Sequence, residues 1–260
     1  MAEPLRPVIA GNWKMHKDPG ATEAFLEAFL ELRPPGDYAV ILFPPAVSLG
    51  VAARKLEGAY GVGLGVQNVH WEVEGAFTGE TSAGMARAIG ARYALVGHSE
   101  RRHLFGESVE ETSRKLAAAL RAGLSPVLCL GETLDERRAG EAEVVVERHL
   151  SPLLEIPEEE REKVLVAYEP VWAIGTGETA SPEDAEAMHG FVRSRLAASW
   201  GNEAAAGVPV LYGGSVKPGN AADLLAGHEV DGVLVGGASL DPGDFAAICR
   251  TAVDIAAESG

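Results

Sequence analysis

Residues 164–168 are Val-Leu-Val-Ala-Tyr and residues 208–212 are Val-Pro-Val-Leu-Tyr, two short runs without a polar residue at alternate positions. A strand with one face in water alternates apolar and polar residues, whereas a continuous apolar run is typical of a strand buried on both faces, as in a parallel sheet. Six further runs of this kind occur on either side of these two. They are Val8–Trp13, Ala39–Phe43, Val62–Val66, Tyr93–Val96, Pro126–Leu130 and Gly232–Val235.

The segments between these runs have the apolar period and the end signals of helices. Asp18–Arg33 carries its large apolar residues on one stripe, and Pro34 stops the segment. Ser108–Ala122 opens with the capping-box pair Ser108 and Glu111 and is followed by Gly123, a suitable left-handed residue. Ser181 before Pro182 predicts a third helix start, an N-cap followed by an N1 proline.

Eight strand–helix units in one chain leave two main architectures, a doubly wound open sheet and a closed barrel. Eight repeats in about 250 residues favour the barrel. A dinucleotide-binding fold is disfavoured because no Gly-x-Gly-x-x-Gly follows the first strand, and Gly61–Gly65 enters a strand instead of opening a helix. We therefore predict an α/β protein with a single-domain (β/α)8 barrel over residues 1–260.

The composition of the 260-residue chain excludes several classes of function. Its formal net charge of −16 argues against nucleic-acid binding, which needs clustered Lys and Arg. No run reaches the roughly 18 apolar residues of a membrane helix, and the N-terminus lacks a long apolar signal region. The two cysteines, Cys129 and Cys249, form neither a disulfide framework nor a zinc spacing. We expect a cytoplasmic enzyme without a metal site and without membrane or nucleic-acid partners.

Polar residues and glycine pairs follow several predicted strands directly, where barrel enzymes place their active sites. Lys14 follows the first strand, His98 the fourth and Glu169 the sixth, and Gly213-Gly214 and Gly236-Gly237 follow the last two. Because the carboxyl ends of parallel barrel strands share one mouth, we expect these residues to converge there.

This set predicts acid–base chemistry on an anionic substrate. Glu169 and His98 are the candidate acid–base pair, and Lys14 can stabilise an anion or a developing oxyanion. Glycine pairs let backbone N–H groups approach phosphate oxygens, and the loops after strands seven and eight commonly bind phosphate in barrels. Pro170–Gly177 has a rigid start, apolar residues and a glycine-rich end, so it could close over the pocket and exclude water.

Five motifs, in order along essentially the whole chain, resemble the triosephosphate isomerase family. They are Gly11-Asn12-Trp13-Lys14-Met15, Gly97-His98-Ser99-Glu100-Arg101-Arg102, Ala167-Tyr168-Glu169-Pro170-Val171-Trp172-Ala173-Ile174-Gly175-Thr176-Gly177, Tyr212-Gly213-Gly214-Ser215-Val216 and Leu234-Val235-Gly236-Gly237-Ala238-Ser239-Leu240.

The resemblance implies interconversion of dihydroxyacetone phosphate and glyceraldehyde 3-phosphate without a cofactor. In this family the surroundings of the catalytic side chains adjust their pKa values for acid–base catalysis. The resemblance implies that Glu169 is the base and His98 the neutral imidazole that polarises the carbonyl, with Lys14 and Asn12 orienting the substrate and stabilising charge. Glu100 matches a supporting carboxylate. The implied phosphate ligands are Gly175, Ser215, Gly236 and Gly237, and the implied lid is Pro170, Val171, Trp172, Ala173, Ile174, Gly175, Thr176 and Gly177.

The segment Gln67–Glu80 is long for a loop after a barrel strand and carries Trp71, Val73 and Phe77 among polar residues. Such a loop should bury its apolar residues, either by packing on itself or against another surface. The resemblance implies that it docks into a second subunit, so we expect a homodimer in which Thr78 reaches the neighbouring active site.

Two other functions compete with this interpretation. A Schiff-base aldolase would need a buried lysine as carbonyl nucleophile, whereas the sixth strand ends in Glu169 and the clearest strand-end lysine is Lys14. A barrel that only binds sugar phosphates would keep the glycine pairs but need neither the base nor the lid segment.

Overall fold

Eight parallel strands close into a barrel in which each strand pairs with the next along the chain and β8 pairs with β1. The computed structural model describes residues 7–173 and 180–259. The strands are β1 (Val8–Asn12), β2 (Ala39–Phe43), β3 (Val62–Val66), β4 (Tyr93–Val96), β5 (Ser125–Leu130), β6 (Leu165–Tyr168), β7 (Val210–Tyr212) and β8 (Gly232–Val235).

Helices follow the strands and surround the barrel. The α-helices are α1 (Pro19–Leu32), α2 (Leu49–Lys55), α3 (Ala83–Ala88), α4 (Ser99–Phe105), α5 (Val109–Arg121), α6 (Leu134–Arg138), α7 (Ala142–Leu154), α8 (Pro182–Trp200), α9 (Asn202–Gly207), α10 (Ala221–Leu225) and α11 (Pro242–Ser259). Short 3-10 helices lie at Ala46–Ser48, Glu158–Lys163, Val171–Ala173 and Gly237–Leu240.

The predicted (β/α)8 barrel is confirmed, and the differences lie at strand ends. β2, β3, β4 and β8 have the predicted bounds. β7 starts at Val210 instead of Val208, because Pro209 has no N–H to donate to a ladder. β1 ends one residue before Trp13, although the Trp13 amide still donates to the carbonyl of Phe43 (3.2 Å).

The strands are buried on both faces, as their continuous apolar sequences predicted. One set of side chains fills the inside of the barrel, including Val8, Ile41, Val127 and Leu165. The other set packs against the helices in a larger outer core. β3 departs from this pattern with Gly63 and Gly65, whose missing side chains leave room for the rings of Tyr93 and Phe43.

Side-chain caps fix the starts of the predicted helices. Asp18 accepts a hydrogen bond from the amide of Ala21 (2.8 Å) at the start of α1. The predicted capping box of Ser108 and Glu111 is present at α5. Ser181 caps α8, where Pro182 occupies the first turn and Asp184 completes another capping box. Within the described residues, no helix is long and apolar enough to cross a membrane.

Candidate active site

Glu169 follows β6 and is held at the centre of the barrel mouth. Its Oε1 lies 2.9 Å from Nε2 of His98, and its Oε2 accepts a hydrogen bond from the Ser99 amide (2.9 Å). Its own amide donates to the carbonyl of Leu130 at the end of β5 (2.7 Å). The carboxylate is almost fully buried, with 2% exposure. Strand ends of β4, β5 and β6 therefore fix the position and hydrogen bonding of this side chain.

The pKa of Glu169 reflects two opposed effects. Burial raises it, but the adjacent His98 ring, the Ser99 amide and the Lys14 ammonium outweigh burial, so the pKa of Glu169 is below its ordinary value. For His98, burial lowers the pKa, and the facing Glu169 carboxylate reverses this and raises it. Both shifts belong to the arrangement in which the two side chains touch.

The hydrogen bonds of His98 specify one tautomer of its ring. His98 is the N-cap residue of α4, and its Nδ1 accepts a hydrogen bond from the Glu100 amide (3.3 Å). An accepting Nδ1 carries no proton, so in the neutral ring the proton is on Nε2, which donates to Glu169. The start of α4 therefore opposes the effect of Glu169 on the pKa of His98, because it favours a neutral imidazole that presents one N–H to the mouth.

Lys14 reaches into the mouth from a strained backbone. Its φ is 51°, in the left-handed region that non-glycine residues rarely occupy. Its amide donates to Oδ1 of Asn12 (3.0 Å), and its carbonyl accepts from Nε2 of Gln67 (2.8 Å). The ammonium pairs with Oε1 of Glu100 at 2.5 Å. Asn12, Glu100 and Gln67 therefore hold the lysine in place.

The two glycine-pair loops lie beside these side chains. A Cβ on Gly236 would lie 3.8 Å from Cε of Lys14, which places the loop after β8 next to the ammonium. A short 3-10 helix starts at Gly237, and the Ser239 hydroxyl donates to the Gly236 carbonyl (2.7 Å). Ser215 is half-buried after β7, and its carbonyl accepts from Asn220 (2.9 Å). Small residues leave backbone groups accessible to an anion here.

Two glycines are required by the close approach of neighbouring chain to Glu169. A Cβ on Gly213 would lie 2.8 Å from Cγ of Glu169. A Cβ on Gly131, directly after β5, would overlap the carbonyl oxygen of Glu169. The backbone and side chain of Glu169 are thus confined from both neighbouring strands, and any larger residue at either glycine must displace them.

The start of the predicted lid is anchored by Glu132, which the sequence analysis did not identify. This fully buried carboxylate accepts hydrogen bonds from the Tyr168 hydroxyl (3.1 Å) and the Trp172 indole (2.8 Å). Its carbonyl accepts from the Val171 amide (3.0 Å), and Arg137 lies over the Trp172 ring. Glu132 therefore connects the residue before Glu169 with the first turn of the segment.

Most of the predicted site residues lie together. The described residues place Asn12, Lys14, His98, Glu100, Glu169, Ser215, Gly236 and Gly237 at the ends of β1, β4, β6, β7 and β8, and Pro170–Ala173 directly after β6. Ile174, Gly175, Thr176 and Gly177 lie outside the described residues. Within the described ranges, no group of three or more His, Cys, Asp or Glu side chains is arranged to hold a metal ion.

Comparison with known proteins points to one family over nearly the whole chain. The family model described as "Triosephosphate isomerase" matches residues 7–252. The triosephosphate isomerase of Symbiobacterium thermophilum is 49% identical over 251 residues, covering 95% of this chain and 97% of that protein. The enzyme of the same name from Chloroflexus aurantiacus is 48% identical over 92% of this chain and 96% of its own. The triosephosphate isomerase of Aquifex aeolicus is 46% identical over 94% of this chain and 98% of its own. The chain belongs to the triosephosphate isomerase family.

Proposed function

We propose that this chain catalyses the reversible interconversion of dihydroxyacetone phosphate and D-glyceraldehyde 3-phosphate, a step of glycolysis and gluconeogenesis. The observation that carries the proposal is the buried contact between Glu169 and the Nε2–H of His98, with the Lys14 ammonium and the loop of Gly236 beside it. A carboxylate base, a neutral hydrogen-bond donor and a fixed cation are the groups that proton transfer next to a carbonyl requires.

Glu169 acts as the base after it leaves its present partners. Both carboxylate oxygens now accept hydrogen bonds, from His98 and Ser99, and these bonds lower its basicity. When the substrate separates Glu169 from His98, burial remains and the stabilising contacts are lost, so the pKa of Glu169 rises. The same movement frees the Nε2–H of His98 to donate to the substrate carbonyl oxygen.

The reaction then conserves all atoms within the substrate. Glu169 removes a proton from the carbon next to the carbonyl, and the electron pair moves to the carbonyl oxygen to form an enediolate. His98 donates a hydrogen bond to that oxygen, and the Lys14 ammonium, oriented by Asn12 and Glu100, stabilises its charge. The proton of the neighbouring hydroxyl passes to the former carbonyl oxygen, and Glu169 returns its proton to the carbon that carried the carbonyl, so that the hydroxyl carbon becomes the new carbonyl. Because no electrons leave the substrate, the step itself requires no redox cofactor.

The phosphate group of the substrate is held by the loops after β7 and β8, with Ser215, Gly236 and Gly237, and by Gly175 of the lid. The lid, Pro170–Gly177, closes over the enediolate and keeps water from promoting loss of phosphate. The anchoring of Val171 and Trp172 by Glu132 supports this assignment, because it fixes the base of the segment next to Glu169.

The test compares the unmodified chain with Glu169→Gln in an isomerase assay. Removal of a positioned base should lower kcat by about 10²–10⁴-fold. Glu159→Gln, at an exposed position between α7 and β6, is the matched control and should retain activity. Activity that survives Glu169→Gln would overturn the assignment of the base. Trapping of a substrate adduct by borohydride would instead favour the aldolase.

We also propose that the chain is a homodimer formed through the loop Gln67–Glu80, with Thr78 reaching the neighbouring site. Residues 72–80 are exposed, and Val73 is 75% exposed, while Phe77 packs against the His70 ring at a tilt and remains 42% exposed. Met15, in the neighbouring loop after β1, is 93% exposed. Because these apolar side chains are exposed, they support docking of the loop onto a second copy of the chain and argue against a loop that packs only on itself.

Equilibrium sedimentation tests the dimer. The unmodified chain should sediment as a dimer at micromolar concentration, and Val73→Lys should shift it toward monomer. Val144→Lys, on α7 and 66% exposed, is the control for adding a charge at an exposed valine. An unmodified chain that sediments as a monomer would refute the assembly.

We propose a cytoplasmic location for the enzyme. Cys129 and Cys249 are both buried free thiols, which supports a reducing compartment. Fractionation of cells that express the chain at natural level should place its activity with the cytosol.

A further inference from the structure

A cleft of about 890 Å³ opens at the end of the barrel opposite to Glu169. It is bounded by the end of α2 and the following loop, by the first half of β3 and by Arg92 before β4. Its volume lies in the range of small-molecule sites, about 300–1,000 Å³. The proposed isomerase reaction uses none of its residues. We call it the amino-terminal cleft.

The cleft lies where β3 extends beyond β4, because β4 starts opposite the second half of β3. They pair through Gly65–Tyr93 and Val66–Ala94, and the Leu64 carbonyl accepts from the Arg92 amide (2.8 Å), so Val62 and Gly63 extend beyond the start of β4. Gly63 adds no side chain to fill the opening. The ring of Tyr93 lies over this glycine, where a Cβ would lie 2.5 Å from Cε2 of the ring. The stagger of the two strands and Gly63 therefore form the opening, and the loop after α2 forms one of its walls.

The lining combines an apolar floor with a cationic rim. Ile41, Leu64 and Leu165, all buried, belong to the floor. Arg54 and Arg92 are exposed lining residues, and within residues 7–173 and 180–259 neither has a carboxylate within ion-pair distance. By contrast, Lys163 at the same rim is paired with Glu160 at 2.7 Å. Two guanidinium groups are thus available to a ligand in a chain whose net charge is −16.

Two tyrosines and two carboxylates narrow the choice of ligand. Tyr93 is half-buried in the lining, and Tyr60 is 74% exposed at the rim, with its carbonyl held by Arg33 (2.7 Å). Their rings offer stacking surfaces to a flat group. Glu57 and Glu162 also line the cleft, and they would repel a ligand with several negative charges. The lining therefore fits one anionic group attached to an aromatic body.

We propose that the amino-terminal cleft is a binding site for a small aromatic organic monoanion. The aromatic body lies on the floor formed by Ile41, Leu64 and Leu165, beside the ring of Tyr93. The carboxylate or sulfonate group pairs with Arg54 and Arg92, whose planar guanidinium groups can each donate two parallel hydrogen bonds. The site is separate from the phosphate loops of Gly213–Ser215 and Gly236–Gly237.

Titration with the aromatic sulfonate 8-anilinonaphthalene-1-sulfonate tests the proposal. The native chain is titrated in inorganic phosphate, which competes for anion sites at the catalytic mouth, and fluorescence reports binding. Amide NMR spectra of the same samples locate the probe. Shifts should be largest at Gly61, Gly63 and Gly90, which line the cleft. Shifts confined to Gly236 and Gly237, or to Gly75 and Gly79, would place the probe elsewhere and overturn the proposal.

Variants that remove the charges of the rim provide a second test of the proposal. Arg54→Gln and Arg92→Gln should each weaken probe binding about fivefold, the size expected for exposed ion pairs, and together about 25-fold if they act independently. Arg138→Gln, at the opposite end of the barrel, should leave binding unchanged. All three should keep kcat for the isomerase reaction, because none contacts the catalytic mouth. Equal probe affinity in the double variant and the unmodified chain would refute the role of the cationic rim.

Discussion

Replacement of Gly213 by alanine tests how tightly the structure confines the base. The new Cβ would lie 2.8 Å from Cγ of Glu169 and 3.2 Å from the carbonyl oxygen of Tyr168. Carbon atoms in contact lie about 3.5–4.0 Å apart, so the Glu169 side chain must retreat by roughly 1 Å. A displacement of about 1 Å costs on the order of 10²-fold in rate. That factor corresponds to about 2.7 kcal/mol in the activation free energy.

Steady-state assays of the isomerase reaction measure this effect. We expect Gly213→Ala to lower kcat about 10²-fold with little change in KM, because the atoms nearest the new Cβ belong to Glu169 and Tyr168 and not to the phosphate ligands Ser215, Gly236 and Gly237. Gly219→Ala is the matched control in the same loop, since a Cβ there meets nothing within 4 Å. A folded Gly213→Ala enzyme with unchanged kcat would refute the contact argument. An equal loss in Gly219→Ala would show that loop stiffness, not the methyl contact, lowers the rate.

Three further predictions concern stability. Glu132→Gln replaces a buried carboxylate that accepts hydrogen bonds from Tyr168 and Trp172. It should lower the free energy of unfolding by about 3 kcal/mol in urea titrations, and an unchanged midpoint would contradict this. Ser108→Ala removes the N-cap of α5 and should lower the free energy of unfolding by about 1 kcal/mol in the same titration. An unchanged free energy of unfolding would mean that the cap does not stabilise the protein. Burial, aided by Arg102 and Arg148, lowers the pKa of His149 from 6.5 to about 3. The unfolded chain therefore binds a proton that the folded chain excludes, and stability should fall as pH drops from 6.5 toward 3, by at most about 1.4 kcal/mol per pH unit. His149→Gln should flatten the decline, and parallel curves for the two proteins would reject a neutral buried His149.

The sequence was sufficient to predict the barrel and the residues at its mouth. Continuous apolar runs report burial on both faces, and strand order then follows from short right-handed connections. Because every strand runs in the same direction, Lys14, His98 and Glu169 had to face one end once the barrel was inferred. Helix starts were predictable for a similar reason, since the capping box of Ser108 and Glu111 lies within one turn of chain.

Features that depend on distances between separate strands were not predictable in this way. Glu132 meets Tyr168 and Trp172 across 36 and 40 residues of sequence, and an acidic residue after a strand has no pattern that identifies such partners. Gln67 supports the Lys14 carbonyl across 53 residues. The need for glycine at position 213 arises from the approach of Glu169, which only coordinates reveal.

The left-handed backbone of Lys14 has a consequence for attempts to stabilise the enzyme. A non-glycine residue in this conformation costs roughly 1–2 kcal/mol, and the contacts of Asn12 and Gln67 maintain it. Glycine at position 14 would relieve the strain but would remove the ammonium from the mouth. A library selected only for heat resistance would therefore enrich inactive chains altered at this position, so selection for thermal tolerance has to be coupled to turnover.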